Sequence, residues 1–298
     1  MAKKFFKVEL IPALRRLQIL SKELSTSTTI GAYKSVFKGK GLEFSGYRPY
    51  TLGDDASLID WKATARTDNL LIKEYVEERN LNVFFIVDSS SKMLFGSTNK
   101  LKAEYNIELT CSLAHAILEA GDNVGLVLFS DTAKQKLLPT RGFNQYYKIS
   151  KLLLDPENYG GNFDLENATK FVFNYLKTAG IIVIISDFLN WNDKWKDFIK
   201  LLSKKFDLMC IMIRDPRDKT MPNDVGEVVI SDPKTGKTMI IEPELIKESY
   251  EKVMKEQEDN IKKIFLESNI DFVDISTDKP FINEIINLFI RRSSRRWQ

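Results

Sequence analysis

Phe84-Phe85-Ile86-Val87-Asp88-Ser89-Ser90-Ser91-Lys92-Met93 joins an apolar strand directly to a polar turn. A carboxylate at the end of a buried strand, with hydroxyls two and four residues on, can hold a hard divalent cation through oxygen ligands. Asp88 and Ser90 fill the first two positions. Lys92 stands at the third, and an ammonium offers no lone pair to a cation. The stretch has the scaffold of a metal site with a cation already written into it.

Two later segments extend the pattern. Gly160-Gly161-Asn162-Phe163-Asp164-Leu165 reads as a tight turn opening a helix, and Ile181-Ile182-Val183-Ile184-Ile185-Ser186-Asp187 as a second apolar strand ending in an acid. Ligands of open α/β sheets sit beyond the carboxyl ends of the strands. Asp88, Asn162 and Asp187 are therefore expected at one sheet edge. The plainer alternative is that each strand-end acid caps the helix after it. The Gly-Gly turn between the acids favours the shared crevice.

Outward from this point, strands and helices alternate. Strands are expected at 81–88, 124–129, 133–138, 181–186, 206–213 and 270–275. Helices are expected at 100–120, 144–154, 164–177, 193–204, 243–268 and 280–291. Ala133–Leu138 follows a short Ser130-Asp131-Thr132 turn and fits an antiparallel edge, and residues 227–241 read as a small hairpin. Repeated βα units with continuous apolar strands predict an α/β fold, a mostly parallel sheet with helices on both faces. The first 80 residues break the alternation and predict an α+β extension, with a short helix at Pro12–Leu24. The expected division is 1–80, 81–291 and a basic tail at 292–298.

Composition narrows the function classes. The chain has 298 residues, 43% hydrophobic and 29% charged, with a net charge of +3. That is a folded chain, and the charge is too small to imply nucleic acid. No apolar run approaches the ~20 residues of a membrane span. The start, Met1-Ala2-Lys3-Lys4-Phe5-Phe6, lacks a sustained apolar core, so a cytoplasmic location is expected. Cys111 and Cys210 read as buried thiols rather than a staple or a zinc site. The single histidine, His115, falls in a helical pattern and leaves no Ser–His pair for nucleophilic catalysis. Aspartyl phosphotransfer would need a second acid two residues after Asp88, where Ser90 stands. No Gly-x-x-x-x-Gly-Lys-Ser/Thr is present. The chain is not expected to be an enzyme.

Residues 37–80 are dense in charged and aromatic side chains, among them Arg48, Asp54, Asp55, Asp60, Trp61 and Arg66. Such residues can form a mutually paired, buried polar network docked on the sheet domain. They can equally form a recognition surface. Both readings stand at this level.

Gly39-Lys40-Gly41-Leu42-Glu43-Phe44, Arg48-Pro49-Tyr50, Gly53-Asp54-Asp55, Ile59-Asp60-Trp61-Lys62-Ala63-Thr64-Ala65-Arg66 and Val87-Asp88-Ser89-Ser90-Ser91-Lys92-Met93 together resemble the bacterial domain of unknown function 58 family. The resemblance implies a von Willebrand factor type A-like domain behind a family-specific N-terminal segment. It also implies partnership with a MoxR-type AAA+ ATPase and protein clients in maturation or assembly, without catalysis. Against metal-binding type A domains, Asp88, Ser90 and Asp187 match the cation-site positions, whereas Lys92 replaces a serine and Asn162 a threonine. A fixed ammonium ~4 Å from a divalent ion would cost about 8 kcal/mol at an effective dielectric of about 20. Lys92 is thus expected to neutralise Asp88 and Asp187 in place of the metal, and magnesium to bind weakly or not at all. Alternatives are an intact, metal-dependent ligand site, or a membrane- or nucleic-acid-surface binder acting through the Arg-rich end at Arg291–Arg296 without spanning the bilayer.

Overall fold

A computed structural model describes residues 33, 43–51, 53–67, 69–76, 81–176, 180–189, 191–192, 194–223, 225–232 and 235–296. The helix expected at Pro12–Leu24, and Gly39 and Gly41, lie outside these residues. Phe37–Leu81 form one compact unit, and Asn82–Gln298 with Tyr33 belong to the other. The break after Leu81 sits beside the expected boundary, whereas Tyr33 belongs with the sheet domain. Its hydroxyl donates to buried Asp122 at 2.7 Å and its ring meets Phe289 edge-on.

In the smaller unit β1 (Glu43–Pro49) pairs antiparallel with β2 (Leu71–Val76), and α1 (Trp61–Thr67) lies between them in sequence. Asp60 starts α1 by accepting from the backbone N–H groups of Lys62 and Ala63 at 2.9 and 3.2 Å. Those donors would otherwise be unpaired at the helix start.

The larger unit runs β3 (Asn82–Asp88), α2 (Lys102–Glu119), β4 (Asn123–Phe129), β5 (Ala133–Thr140), α3 (Phe143–Leu154), α4 (Leu165–Tyr175), β6 (Ile181–Ser186), α5 (Lys194–Lys205) and β7 (Asp207–Arg214). The hairpin β8 (Val228–Ser231) and β9 (Thr238–Ile241) follows, then α6 (Pro243–Glu267), β10 (Asp271–Ser276) and α7 (Ile282–Arg296). The six-stranded sheet has the order β10-β7-β6-β3-β4-β5. Every pair is parallel except β4–β5, which is antiparallel at the expected edge.

Strand pleat sorts the core. Phe84, Ile86, Ile182, Ile184, Cys210 and Met212 share one face with apolar residues of α4, α5 and α6. Phe85, Val87 and Leu126 alternate onto the other face, toward α2 and α3. Central strands buried on both faces must be apolar at every position, which is why β3 and β6 carry no alternation. The chain runs from β3 out to β5, then returns to β6 on the opposite side of β3. This places the switch of direction between β3 and β6, where their carboxyl ends diverge.

The end expected as a basic tail at 292–298 is helical as far as it is described. α7 continues to Arg296, and Arg292 is only 3% exposed. Its Nη1 donates to Asp271 Oδ2 at 2.6 Å, and Nη2 pairs with Asp207. Arg292 extends the buried stripe of Ile285, Leu288 and Phe289 by one turn, so helical spacing carries it inward. Among the described residues no helix is long and apolar enough to cross a membrane.

Candidate functional site at the sheet switch point

The carboxyl ends of β3 and β6 bring Asp88, Ser90 and Asp187 together, the arrangement expected from the strand-end acids. Asp88 is fully buried. Its Oδ1 accepts from the Ser90 backbone N–H at 2.8 Å, and its Oδ2 from Ser186 Oγ at 2.6 Å. Ser186 Oγ in turn accepts from Phe188 N at 3.1 Å, in a turn where Phe188 has φ of 49°. That left-handed conformation is uncommon for an aromatic residue and is held by burial of the ring against Phe265.

The Gly-Gly turn is stitched to the first loop through backbone. Gly160 N donates to Ser89 O at 2.8 Å, and Ser91 N to Gly161 O at 3.0 Å. Asn162 is exposed in this turn, whereas both acids are buried. Gly161 has φ of +78°, and a Cβ there would lie 2.9 Å from Asp131 Oδ1 and 3.2 Å from Ser130 Oγ. Gly161→Ala is expected to destabilise the chain by about 1–3 kcal/mol, read from urea unfolding, because strain and close contact add. A variant as stable as the parent would show that this loop relaxes freely.

The cation at the acids is not the expected one. Lys92 Nζ donates to the backbone carbonyl of Leu189 at 2.8 Å. The ammonium bonded to Asp187 belongs to Lys102, the first residue of α2, at 2.7 Å from Oδ2, and it also meets Asp218 Oδ2 at 3.0 Å. Lys102 and Asp187 are each only 1% exposed. Lys92 therefore acts on the acids through space, while Lys102 binds them. The reason is geometric: Lys92 lies in a short 3-10 turn beside the loop after β6, whereas α2 enters the sheet edge with its first residue pointing inward.

These positions separate the acids electrically. Burial, then the charge of Asp187, pushes the Asp88 carboxyl up to about 6. Burial works in the same sense on Asp187, but the Lys102 charge and hydrogen bond, the Leu189 N–H and Lys92 hold it below its ordinary value. At Asp218 burial outweighs Lys102 and the carboxyl is raised. Lys102 is itself raised, its carboxylates overcoming burial. The principal ion pair is therefore Lys102–Asp187, with Asp218 as a secondary acceptor.

Both oxygens of Asp187 are engaged within the crevice. Asp187 keeps Oδ1 on Leu189 N and Oδ2 on Lys102. Among the described residues no group of three or more His, Cys, Asp or Glu is arranged to hold a metal ion. Ser90 is fully buried, and its Oγ is the one neutral oxygen of the expected set.

The other sequence-marked residues lie in the smaller unit. Arg48 binds Asp54 through both nitrogens, at 2.7 and 2.8 Å. That guanidinium, with Thr51, holds the Asp54 carboxyl well below the usual range. Asp55 caps a short turn by accepting from Ser57 N at 2.9 Å. Asp60 also accepts from Tyr47 OH at 3.0 Å and pairs with Lys73. Trp61 is 66% exposed and Arg66 is exposed as well. The network is thus a set of caps and surface pairs rather than a buried cluster, because the acids are satisfied locally by backbone N–H groups and neighbouring cations.

Lys102, Ser186, Asp215 and Asp218 were not marked by the sequence reading. One signal for Lys102 exists: it precedes Asn106, Leu109 and Leu113 at helical spacing, which puts it on the buried stripe of α2. Nothing in the sequence ties Asp218 to that lysine.

The family described as Protein of unknown function DUF58 matches residues 46–260. The chain is 24% identical over 288 residues to Uncharacterized protein Rv1480 of Mycobacterium tuberculosis, covering 95% of this chain and 90% of that one. Among solved structures it is similar to the conserved hypothetical protein BatB from Bacteroides thetaiotaomicron, with 16% identity, 72% and 100% coverage and a TM-score of 0.46. It is also similar to the SpRpn10 VWA domain, with 13% identity, 70% and 95% coverage and a TM-score of 0.41.

Proposed function

The chain belongs to the DUF58 family of proteins of unknown function, and on that premise we propose that it is a non-catalytic protein-interaction module with a degenerate metal site. The observation that carries this reading is Lys102, whose ammonium sits 2.7 Å from Asp187 and 3.0 Å from Asp218 inside the switch-point crevice. A tethered cation satisfies these carboxylates without the cost of dehydrating magnesium. It also commits Asp187, so the strand-end acids are a fixed structural pair rather than a free acid and base. The only histidine, His115, is away from the acids on α2, beside Glu119 and Tyr146. The partner in this reading is a MoxR-type AAA+ ATPase, as the family resemblance implies, together with protein clients in the cytoplasm.

The test is capture of a MoxR-type ATPase by the full chain with and without ATP and a chelator. Capture that persists in chelator supports the reading; capture that requires a divalent ion overturns its metal-free part. Calorimetry gives an independent check. Lys92→Ser restores a serine at the third ligand position but leaves Lys102 on Asp187. Magnesium binding is therefore expected to stay weak in this variant. Tight binding created by Lys92→Ser alone would return the decisive role to Lys92.

A further inference from the structure

Between β7 and the buried part of α6 the chain runs outside the six-stranded sheet and carries apolar residues into solvent. The hairpin pairs Val229 with Ile240 and Ile230 with Met239. Successive pairs of an antiparallel ribbon point to opposite faces, so both faces of the hairpin are apolar. All four side chains are exposed, Val229 and Ile240 by 62% and 64%. A two-stranded ribbon is marginal in water by itself, and strands apolar on both faces are the kind that other elements cover. Among the described residues β8 and β9 pair only with each other. Each therefore keeps an open outer edge of backbone N–H and C=O groups.

The start of α6 continues this surface. Ile241 ends β9, Pro243 opens the helix, and before Ile261 only Pro243 is buried. Leu245 is 78% exposed. It lines a cavity of about 440 Å³ with Asn223, Glu244, Lys247 and Glu248. Lys247 Nζ donates to Asn223 Oδ1 at 2.5 Å. Among the described residues the ion pairs of α6 lie further along the helix, at Glu258 and Lys262, and none reaches Glu244 or Glu248. Residues 221–260 hold ten Asp and Glu against five Lys, a net −5 in a chain of net +3. The surface is thus apolar along the hairpin and acidic where the helix begins.

We propose that the hairpin and the start of α6 are the docking surface for the partner protein, and that the occupant is an extended apolar segment ending in arginine or lysine. The site rests on the interaction reading above, since the segment comes from the partner. The segment adds a third strand at an open hairpin edge through main-chain hydrogen bonds and lays alternate apolar side chains over Val229 and Ile240. Its basic end meets Glu244 and Glu248, because Glu244 follows the last residue of β9 by only three positions. Charge selects against other occupants. A second copy meeting this face with its own would set net −5 against net −5, and an acidic segment would meet the same repulsion.

Fluorescence anisotropy with the full chain tests the site. The probe is a labelled peptide of alternating valine and threonine closed by a pair of arginines. Saturable binding is expected, weakening as salt rises. Ile240→Lys should abolish it, and Glu244→Lys combined with Glu248→Lys should weaken it about tenfold. A peptide closed by glutamates should bind more weakly by a similar factor. One with proline at alternate positions lacks the strand's N–H groups and should not bind. No binding of the arginine-ended peptide, equal binding of either counterpart, or unchanged binding by Ile240→Lys overturns the site. A dimer in sedimentation that Ile240→Lys splits into monomers would assign the surface to a second copy and overturn it as well. If Ile240→Lys lowers the Tm, Val229→Thr, which keeps the β-branch, reads the loss on the same face. Failed ATPase capture with intact peptide binding would remove the ATPase and keep this surface. Capture undiminished by Ile240→Lys would remove the surface and keep the interaction module.

Discussion

Lys102→Met is expected to destabilise the chain by about 3–5 kcal/mol, the usual effect of removing one partner of a buried ion pair. Methionine keeps the length and the apolar stem, so lost packing contributes little. What changes is that Asp187, only 1% exposed, loses the ammonium at 2.7 Å, and Asp218 loses its contact at 3.0 Å. Two buried carboxylates would then face each other's charge and that of Asp88 without a bonded cation. Urea unfolding at neutral pH measures the loss, and the deficit should shrink toward acid pH as the carboxylates protonate. Lys92→Met is the matched control. Its ammonium is half-buried and bonded to a single carbonyl, so its effect on stability should be the smaller of the two. Equal effects at the two lysines would mean that Lys102 is not the cation on which the edge depends.

The second expected result is that Asp88→Asn stabilises the chain at pH 8 and not at pH 4. The folded carboxyl is raised from 3.8 to about 6, first by burial and then by Asp187. Between those values the folded chain holds a proton that the unfolded chain has released, so stability falls as pH rises through the window. The contribution is fully present below the unfolded value and lost above the folded one. At one pKa unit per 1.36 kcal/mol the shift corresponds to about 3 kcal/mol. Asparagine keeps a carbonyl acceptor for Ser90 N, and its amide can donate to Ser186 Oγ. Asp218 is raised too and slopes in the same direction, so the informative quantity is the difference between parent and variant across pH 4–8. Parallel profiles would show that Asp88 stays ionised in the folded chain.

Much of this architecture is legible in the sequence because it depends on local rules. Ile181–Ile185 is apolar at every position, which only a strand covered on both faces requires. The short turn after β4 gave the antiparallel edge. Strand-end acids put Asp88 and Asp187 at the switch point, since strand order alone decides where such residues meet. Composition marked the arginine-rich end as basic but not that helical spacing carries Arg292 inward to Asp271.

The identity of the internal cation could not be read in this way. Lys92 is four residues from Asp88 and was the nearer candidate in sequence, whereas Lys102 reaches Asp187 across 85 positions and Asp218 across 116. Which lysine binds depends on where the first turn of α2 meets the sheet edge. The sequence by itself determined the strands, their mostly parallel sheet and the meeting of the two acids, because periodicity and turn chemistry act between neighbours along the chain. Only the tertiary structure decided which charges pair, because in a buried site a few ångströms separate a bonded ion pair from a cation acting through space, and that distance is set by packing.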